Sequence, residues 1–142
     1  MALPFGSEAW ARALCEEING SSEYRNAGAS WGRGFNGNLL LSFEPGGALT
    51  APAHLLLRLK EGRCEGAAFV PSADHPDAGF RLSAPFPLWR EVLEGRTLAA
   101  TAILTGRMKV DGNRIQLLSH AGSARALLHL VASMDTEFPS TP

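Results

Sequence analysis

The sequence predicts an α+β fold built on a largely antiparallel sheet. Three observations carry this. Apolar residues recur at helical spacing at the start, four segments in the middle alternate like strands at short spacing, and the helical period then returns.

Taken in order, Ser7 is a good N-cap for a helix that carries Trp10, Leu14 and Ile18 at i, i+4 and i+8. Asn19-Gly20 ends it. Ser21-Ser22 offers a second cap for a short helix through Glu23, Tyr24 and Arg25. Residues 34–43 read as a strand with Phe35, Leu39, Leu41 and Phe43 on one face, closed by the turn cluster Glu44-Pro45-Gly46-Gly47. Residues 53–60 form the second strand, with Leu55, Leu57 and Leu59 on one face and His54, Leu56 and Arg58 on the other. Glu61-Gly62 turns into a third strand over 63–70, and Phe80 and Leu82 alternate with Arg81 in a fourth after the polar loop 71–76. Pro87, Trp89, Val92, Leu93 and Gly95 then mark a short helix. Thr97 caps another that Gly106 stops, residues 107–110 form a brief strand, and Ser123 caps a last helix bearing Leu127, Leu130, Val131 and Met134. Residues 139–142 should fray.

The chain has 142 residues, 45% hydrophobic and 19% charged, with a formal net charge of -1. That fits one domain with a sizeable core and excludes intrinsic disorder. The 13 basic residues are scattered, so the concentrated footprint that neutralises phosphates is missing and a nucleic-acid partner is not expected. No apolar run approaches a membrane span, and the first residues lack the basic and apolar regions of a signal peptide. Cys15 and Cys64 are too few for a disulfide framework and lack metal-ligand spacing, so a reducing, cytoplasmic setting is expected.

Candidates for chemistry are sparse. Asp74-His75-Pro76-Asp77 sets an imidazole between carboxylates, yet neighbours in a Pro-containing loop rarely converge on one ion. His120 and His129 lie nine apart, on opposite azimuths of an ideal helix, and read as structural or surface residues. Ser83, Ser119 and Cys64 lack a nucleophile context, and Gly32-Arg33-Gly34 with Gly37 lacks the strand and helix of a dinucleotide site. Trp89 and Tyr24 could stack bases but, without a basic groove, read as core. Neither a catalytic residue, a metal nor a cofactor is expected.

Residues 77–113 carry a family pattern. Asp77-x-x-Phe80-x-Leu82-Ser83 is followed by a helix ending Val92-Leu93-Glu94-Gly95. A small-residue helix comes next, and then Leu104-Thr105-Gly106-Arg107-Met108-Lys109-Val110-Asp111-Gly112-Asn113. This resembles the sterol carrier protein-2 family, with Arg107 where Lys is common and Asn113 where Asp is common. The upstream hairpins and Trp10, Ser21-Ser22-Glu23-Tyr24 and Trp31 resemble small stand-alone bacterial members, so the likeness covers about residues 7–132.

The resemblance implies a five-stranded, mostly antiparallel sheet with helices packed over one face and an apolar tunnel for a fatty acid, acyl-coenzyme A or related lipid, without catalysis. It also implies that a helix begins near Asn113, where Asp111-Gly112 alone would suggest a hairpin turn. The expected organisation is one domain over 1–134 and a polar tail over 135–142. Candidate tunnel residues are Leu39, Leu41, Leu55, Leu57, Phe80, Leu82, Trp89, Leu93, Met108, Ile115, Leu118, Leu127, Leu130 and Val131. Arg81 or Arg125 is the candidate for a lipid carboxylate, and the last helix is the candidate lid. A chain of about 16 carbons could gain of order 10 kcal/mol at ~0.8 kcal/mol per methylene, before association costs. Two other readings stay open: a filled-core interaction or dimerisation module of the same fold, and an enzyme using Asp77 with His75. A homodimer and transient contact with a membrane are compatible with the sequence.

Overall fold

The computed structural model describes residues 2–139. A two-residue strand, β1 (Leu3–Pro4), leads into α1 (Glu8–Asn19), whose first turn is capped by Ser7 accepting from the Trp10 amide at 3.1 Å. Ser21 caps α2 (Ser22–Ala27) in the same way through the Tyr24 amide at 3.0 Å. Each cap satisfies a helix-start amide and contributes about 1 kcal/mol. Trp10, Leu14 and Ile18 are buried, so the i, i+4, i+8 stripe is the packing face.

The main sheet comprises β2 (Leu39–Glu44), β3 (Ala53–Lys60), β4 (Arg63–Val70), β5 (Phe80–Pro85) and β6 (Lys109–Asp111), in the order β4-β3-β2-β5-β6. All its pairs are antiparallel except β2 with β5, which run parallel from Leu39↔Phe80 to Glu44↔Pro85. The fold is thus the expected five-stranded α+β arrangement. The β3–β4 hairpin turns on Glu61 (φ 50°) and Gly62 (φ 81°), the left-handed pair of a type I′ turn. A Cβ on Gly62 would stand 2.6 Å from the Arg25 carbonyl oxygen, so glycine is also required by the close approach of α2.

The first strand begins at Leu39, not at Gly34. Its expected early part is a loop that spends its polar groups on itself. The Trp31 indole donates to Gly37 O at 2.8 Å, and Asn36 accepts from the Asn38 amide at 3.0 Å. Phe35 packs edge-on against Trp31 instead of extending the strand face.

The sheet has two unequal faces. Leu39, Phe43, Leu55, Leu57, Phe80 and Leu82 point into the main core with the helices. Leu40 and Leu56 are buried on the other face, beside Arg58 and Arg81. That face is crossed by residues 71–79. Arg81 donates to the carbonyls of Ala73 (2.9 Å) and His75 (3.0 Å), and Arg58 pairs with Asp77 at 2.8 Å.

The helical layer continues with α3 (Phe86–Leu93), α4 (Ala99–Leu104), α5 (Arg114–Ser119) and α6 (Ala121–Ser133). Asn113 caps α5 through the Gln116 amide at 3.0 Å, so a helix follows Asp111-Gly112. Thr97 does not cap α4; its hydroxyl donates to Glu91 at 3.1 Å. Nor does Ser123 cap the last helix, which starts two residues earlier and leaves the Ser123 hydroxyl bonded to His120 O.

The segment expected as a polar tail from residue 135 is instead tied down. Its strand β7 (Thr136–Glu137) pairs in parallel with β1, and Thr136 accepts from the Trp10 indole at 2.8 Å. Phe138 joins Phe5 and Phe86, with the Arg90 guanidinium 4.3 Å from its ring centroid. Residues 140–142 of that tail lie outside the described residues. Thr136→Val should strand a buried indole N–H and lower stability by about 1–2 kcal/mol. Urea unfolding checks this as a lower midpoint at unchanged slope.

Candidate functional site

An apolar groove opens in the helical layer where α3, α4, α5 and α6 meet above β5. Its floor is Leu82 of β5 with Val92, Ile103 and Leu117 from the three helices above it. Its walls are small: Ala99 and Ala100 on α4 face Ala121 and Ala124 on α6. These alanines keep the helices regular, because alanine has the best helix propensity, yet they project too little to fill the space between them. The cavity measures about 160 Å³ and opens to solvent past Leu98, Leu118 and Leu128.

Two ionisable side chains line the groove, Arg125 and His129, one turn apart on α6. Arg125 has no hydrogen-bond or ion-pair partner among the described residues. His129 lies 3.3 Å from Glu23 of α2. The α4 wall is flanked by Gly95 (φ 78°) and Gly106 (φ 79°), a left-handed backbone at each end. Glu91 latches both ends, accepting from Thr97 before the helix and pairing with Arg107 after it at 3.3 Å.

Of the expected tunnel residues, Leu82 and Leu118 line this groove. Leu39, Leu55, Leu57, Phe80, Trp89, Leu93, Met108, Leu127 and Val131 are buried in the packed core instead, and Leu41 and Leu130 are half-buried against it. The Trp89 indole is satisfied there by Ser42 O at 2.9 Å. Ile115 points outward, 82% exposed. The face of α6 picked out by its leucines packs on the core, while the groove sees the neighbouring face through Ala121, Ala124, Arg125 and Leu128. Of the two arginine candidates, Arg125 sits at the groove, whereas Arg81 is occupied by the crossing segment on the far side of the sheet. The signal that was missed is the paired runs of small residues at 99–102 and 121–124, where the sequence supplies helix without volume.

The other candidates have structural employment. His75 accepts from the Asp77 amide at 3.1 Å, Asp77 pairs with Arg58, and its carbonyl takes hydrogen bonds from Asn36 and Asn38. His120 marks the bend between α5 and α6 and packs edge-on to Trp31. Among the described residues, no group of three or more His, Cys, Asp or Glu is disposed to hold a metal ion, and no helix is long and apolar enough to cross a membrane.

Fold and groove together define a class: a mixed sheet backed on one face by helices, with an apolar recess in the helical layer. The model of the SCP-2 sterol transfer family matches residues 35–123, and the chain belongs to that family of lipid-binding and lipid-transfer proteins. No curated protein sequence matches it. A crystal structure of sterol carrier protein 2 shares 29% identity over 92% of this chain and 98% of the other, with a TM-score of 0.78. A conserved hypothetical protein of Thermus thermophilus, suggested to be a sterol carrier protein, shares 29% identity over 94% and 91%, with a TM-score of 0.79. Sterol carrier protein 2 from Yarrowia lipolytica, in its apo form, shows the same fold at 16% identity, 90% and 92% coverage and a TM-score of 0.54.

Away from the groove, the two cysteines meet between α1 and β4. The Cys15 thiol is 3.5 Å from Cys64 O, and the Cys64 thiol donates to Gly66 O at 3.3 Å. Burial, reinforced by the Cys15 thiol beside it, pushes the Cys64 thiol up to about 12. The thiolate is the reactive form, so Cys64 is a poor nucleophile, and its buried sulfur is also less accessible than that of half-buried Cys15. Iodoacetamide on the native protein at pH 8 should therefore modify Cys15 at least about tenfold faster than Cys64. Equal rates by peptide mass spectrometry would contradict this packing.

Proposed function

We propose that the protein is a non-catalytic carrier that holds the hydrocarbon chain of a fatty acid, acyl-coenzyme A or related anionic lipid in the α3–α6 groove. The carrying observation is the groove's composition: an alanine- and leucine-lined recess with a cation, Arg125, that has no partner among the described residues. An apolar cavity of about 150 Å³ takes a benzene-sized guest, so this groove of about 160 Å³ covers roughly six carbons. At ~0.8 kcal/mol per buried methylene that amounts to about 5 kcal/mol before association costs. A longer chain must part the walls.

The wall that moves is α4. The last helix, expected as the lid, is held against α1, α2 and α3 by Ala126, Leu127 and Val131. By contrast, α4 is short, hinged at two glycines and latched by exposed or half-buried polar pairs at Glu91. Opening it leaves the sheet and the main core intact. Both cysteines are free thiols, which suits a carrier working in the cytoplasm.

Organic extraction of the purified protein followed by lipid mass spectrometry should recover an acyl lipid, and a fluorescent fatty acid should bind and be displaced by it. Ala124→Trp fills the recess and should weaken that binding at least about tenfold while leaving the circular dichroism spectrum unchanged. An apo mass alone in native mass spectrometry, with no displacement by any lipid class, would sink the reading. Glu91→Ala removes the latch at both ends of α4. Stopped-flow release of the fluorescent fatty acid should then quicken by about two- to fivefold, the scale of surface polar pairs.

A further inference from the structure

The surface around the groove mouth differs from the rest of the molecule in two independent ways. Among the described residues the large apolar side chains left exposed are Leu98 (62%), Leu104 (68%) and Ile115 (82%), all within 18 residues of one another at α4 and α5. The same stretch of chain is also where positive charge collects. Residues 96–125 hold five basic residues against one acid, a net charge of +4 in a chain of net charge -1, so the remainder carries -5.

These features share one region of the fold. Leu98 lines the groove together with Leu118 and Arg125. The Arg114 guanidinium donates to Ile103 O at 3.1 Å, which binds the start of α5, and with it Ile115, to the end of α4 beside Leu104. Arg114 and Arg125 face no carboxylate among the described residues, and the one acid of the stretch, Asp111, is turned to Arg81. Arg96 and Arg107 are paired with Glu94 and Glu91 in solvent, pairs weak enough to exchange for another anion. The Arg96 hydrogen bond holds the exposed Glu94 carboxyl below its usual range, so that pair stays charged at neutral pH.

We propose that this α4–α5 face is a docking surface for an anionic lipid bilayer, on which Leu98, Leu104 and Ile115 insert between headgroups while the surrounding arginines meet phosphates. Interfacial binding needs apolar side chains to bury and cations to match the surface potential, and this face brings the two together. The orientation sets the groove mouth and the hinged α4 against the membrane, so a lipid passes from bilayer to groove without crossing water. In this the inference rests on the carrier reading, though the docking is measured separately from it.

The test is co-sedimentation with vesicles of phosphatidylcholine, with and without phosphatidylglycerol, using the full chain and the double variant Leu104→Glu/Ile115→Glu. Neither residue lines the groove, and both are exposed, so an unchanged thermal midpoint certifies the fold. The protein should bind the anionic vesicles, release as salt is raised, and bind the neutral vesicles weakly. The double variant should lose about tenfold or more of the bound fraction while binding fluorescent fatty acid in free solution as before. Equal sedimentation of variant and parent, or no preference for anionic vesicles, overturns the proposal. So does a parent that is dimeric by ultracentrifugation and a variant that is monomeric with vesicle binding unaffected, since the face would then join two copies. Loss of fatty-acid binding in the parent alone would fell the carrier reading and leave the docking result standing.

Discussion

The parallel pairing of β2 with β5 is the constraint from which the rest of the architecture follows. After two antiparallel hairpin steps the chain stands at the β4 edge, and β5 must form on the far side of β2. The chain therefore crosses the sheet. Three inter-strand spacings of ~4.8 Å are about 14 Å, well within the reach of the connecting residues 71–79. That crossing segment, held by Arg58 and Arg81, covers the face of Leu40 and Leu56, so the second face needs no helix. All the helices are consequently free to gather on one face. The chain then leaves β5 at Pro85 and enters α3 directly, with Pro87 pre-set for a first helical turn, which brings Trp89 down onto β2.

A second constraint fixes the opposite end of the helical layer. β1 and β7 bring the two ends of the described chain side by side, and the Trp10 indole reaches Thr136 across 126 residues of sequence. Around this clasp Phe5 touches Trp10, Phe43, Phe69, Phe86 and Phe138, with centroids 4.9–5.8 Å away. Aromatic rings in such edge and tilted geometries add to the area they bury, so α1, α3 and the end of α6 form a rigid base. The groove lies beyond this base, where α4 is held by the Glu91 pairs and by Arg114 instead of by aromatic rings.

Much of the fold could be read locally. Ser7 and Ser21 announced α1 and α2 because a cap acts over three residues, and Glu61-Gly62 announced the β3–β4 hairpin because a two-residue turn demands left-handed backbone. What could not be read locally was missed for one reason. The alternation from Phe35 imitated a strand, but the Trp31 indole had already claimed the Gly37 carbonyl. Arg81 looked available for a ligand until the crossing segment supplied it with two carbonyls from residues six and eight positions earlier. The polar residues after Met134 gave no sign of the strand that pairs them with the first residues of the chain. In each case the deciding partner came from another element.

The groove failed to show for a different physical reason, and it bears on what the groove is for. Reading a lining from large apolar residues selects the side chains that fill space, and in this molecule Leu55, Leu57, Phe80 and Trp89 do fill it. A recess is made where volume is withheld. Ala99, Ala100, Ala121 and Ala124 preserve two helices while leaving about 160 Å³ between them. Sealed as an empty void, that volume would cost about 4 kcal/mol at roughly 24 cal/mol per Å³, a large fraction of a domain's stability. The chain lessens this by opening the recess to solvent, which in turn leaves apolar lining wet. Leucines at those four positions would remove both costs. A helical layer that withholds packing beside a cation with no partner among the described residues has what the proposed carrier requires, contacts left for a guest to supply.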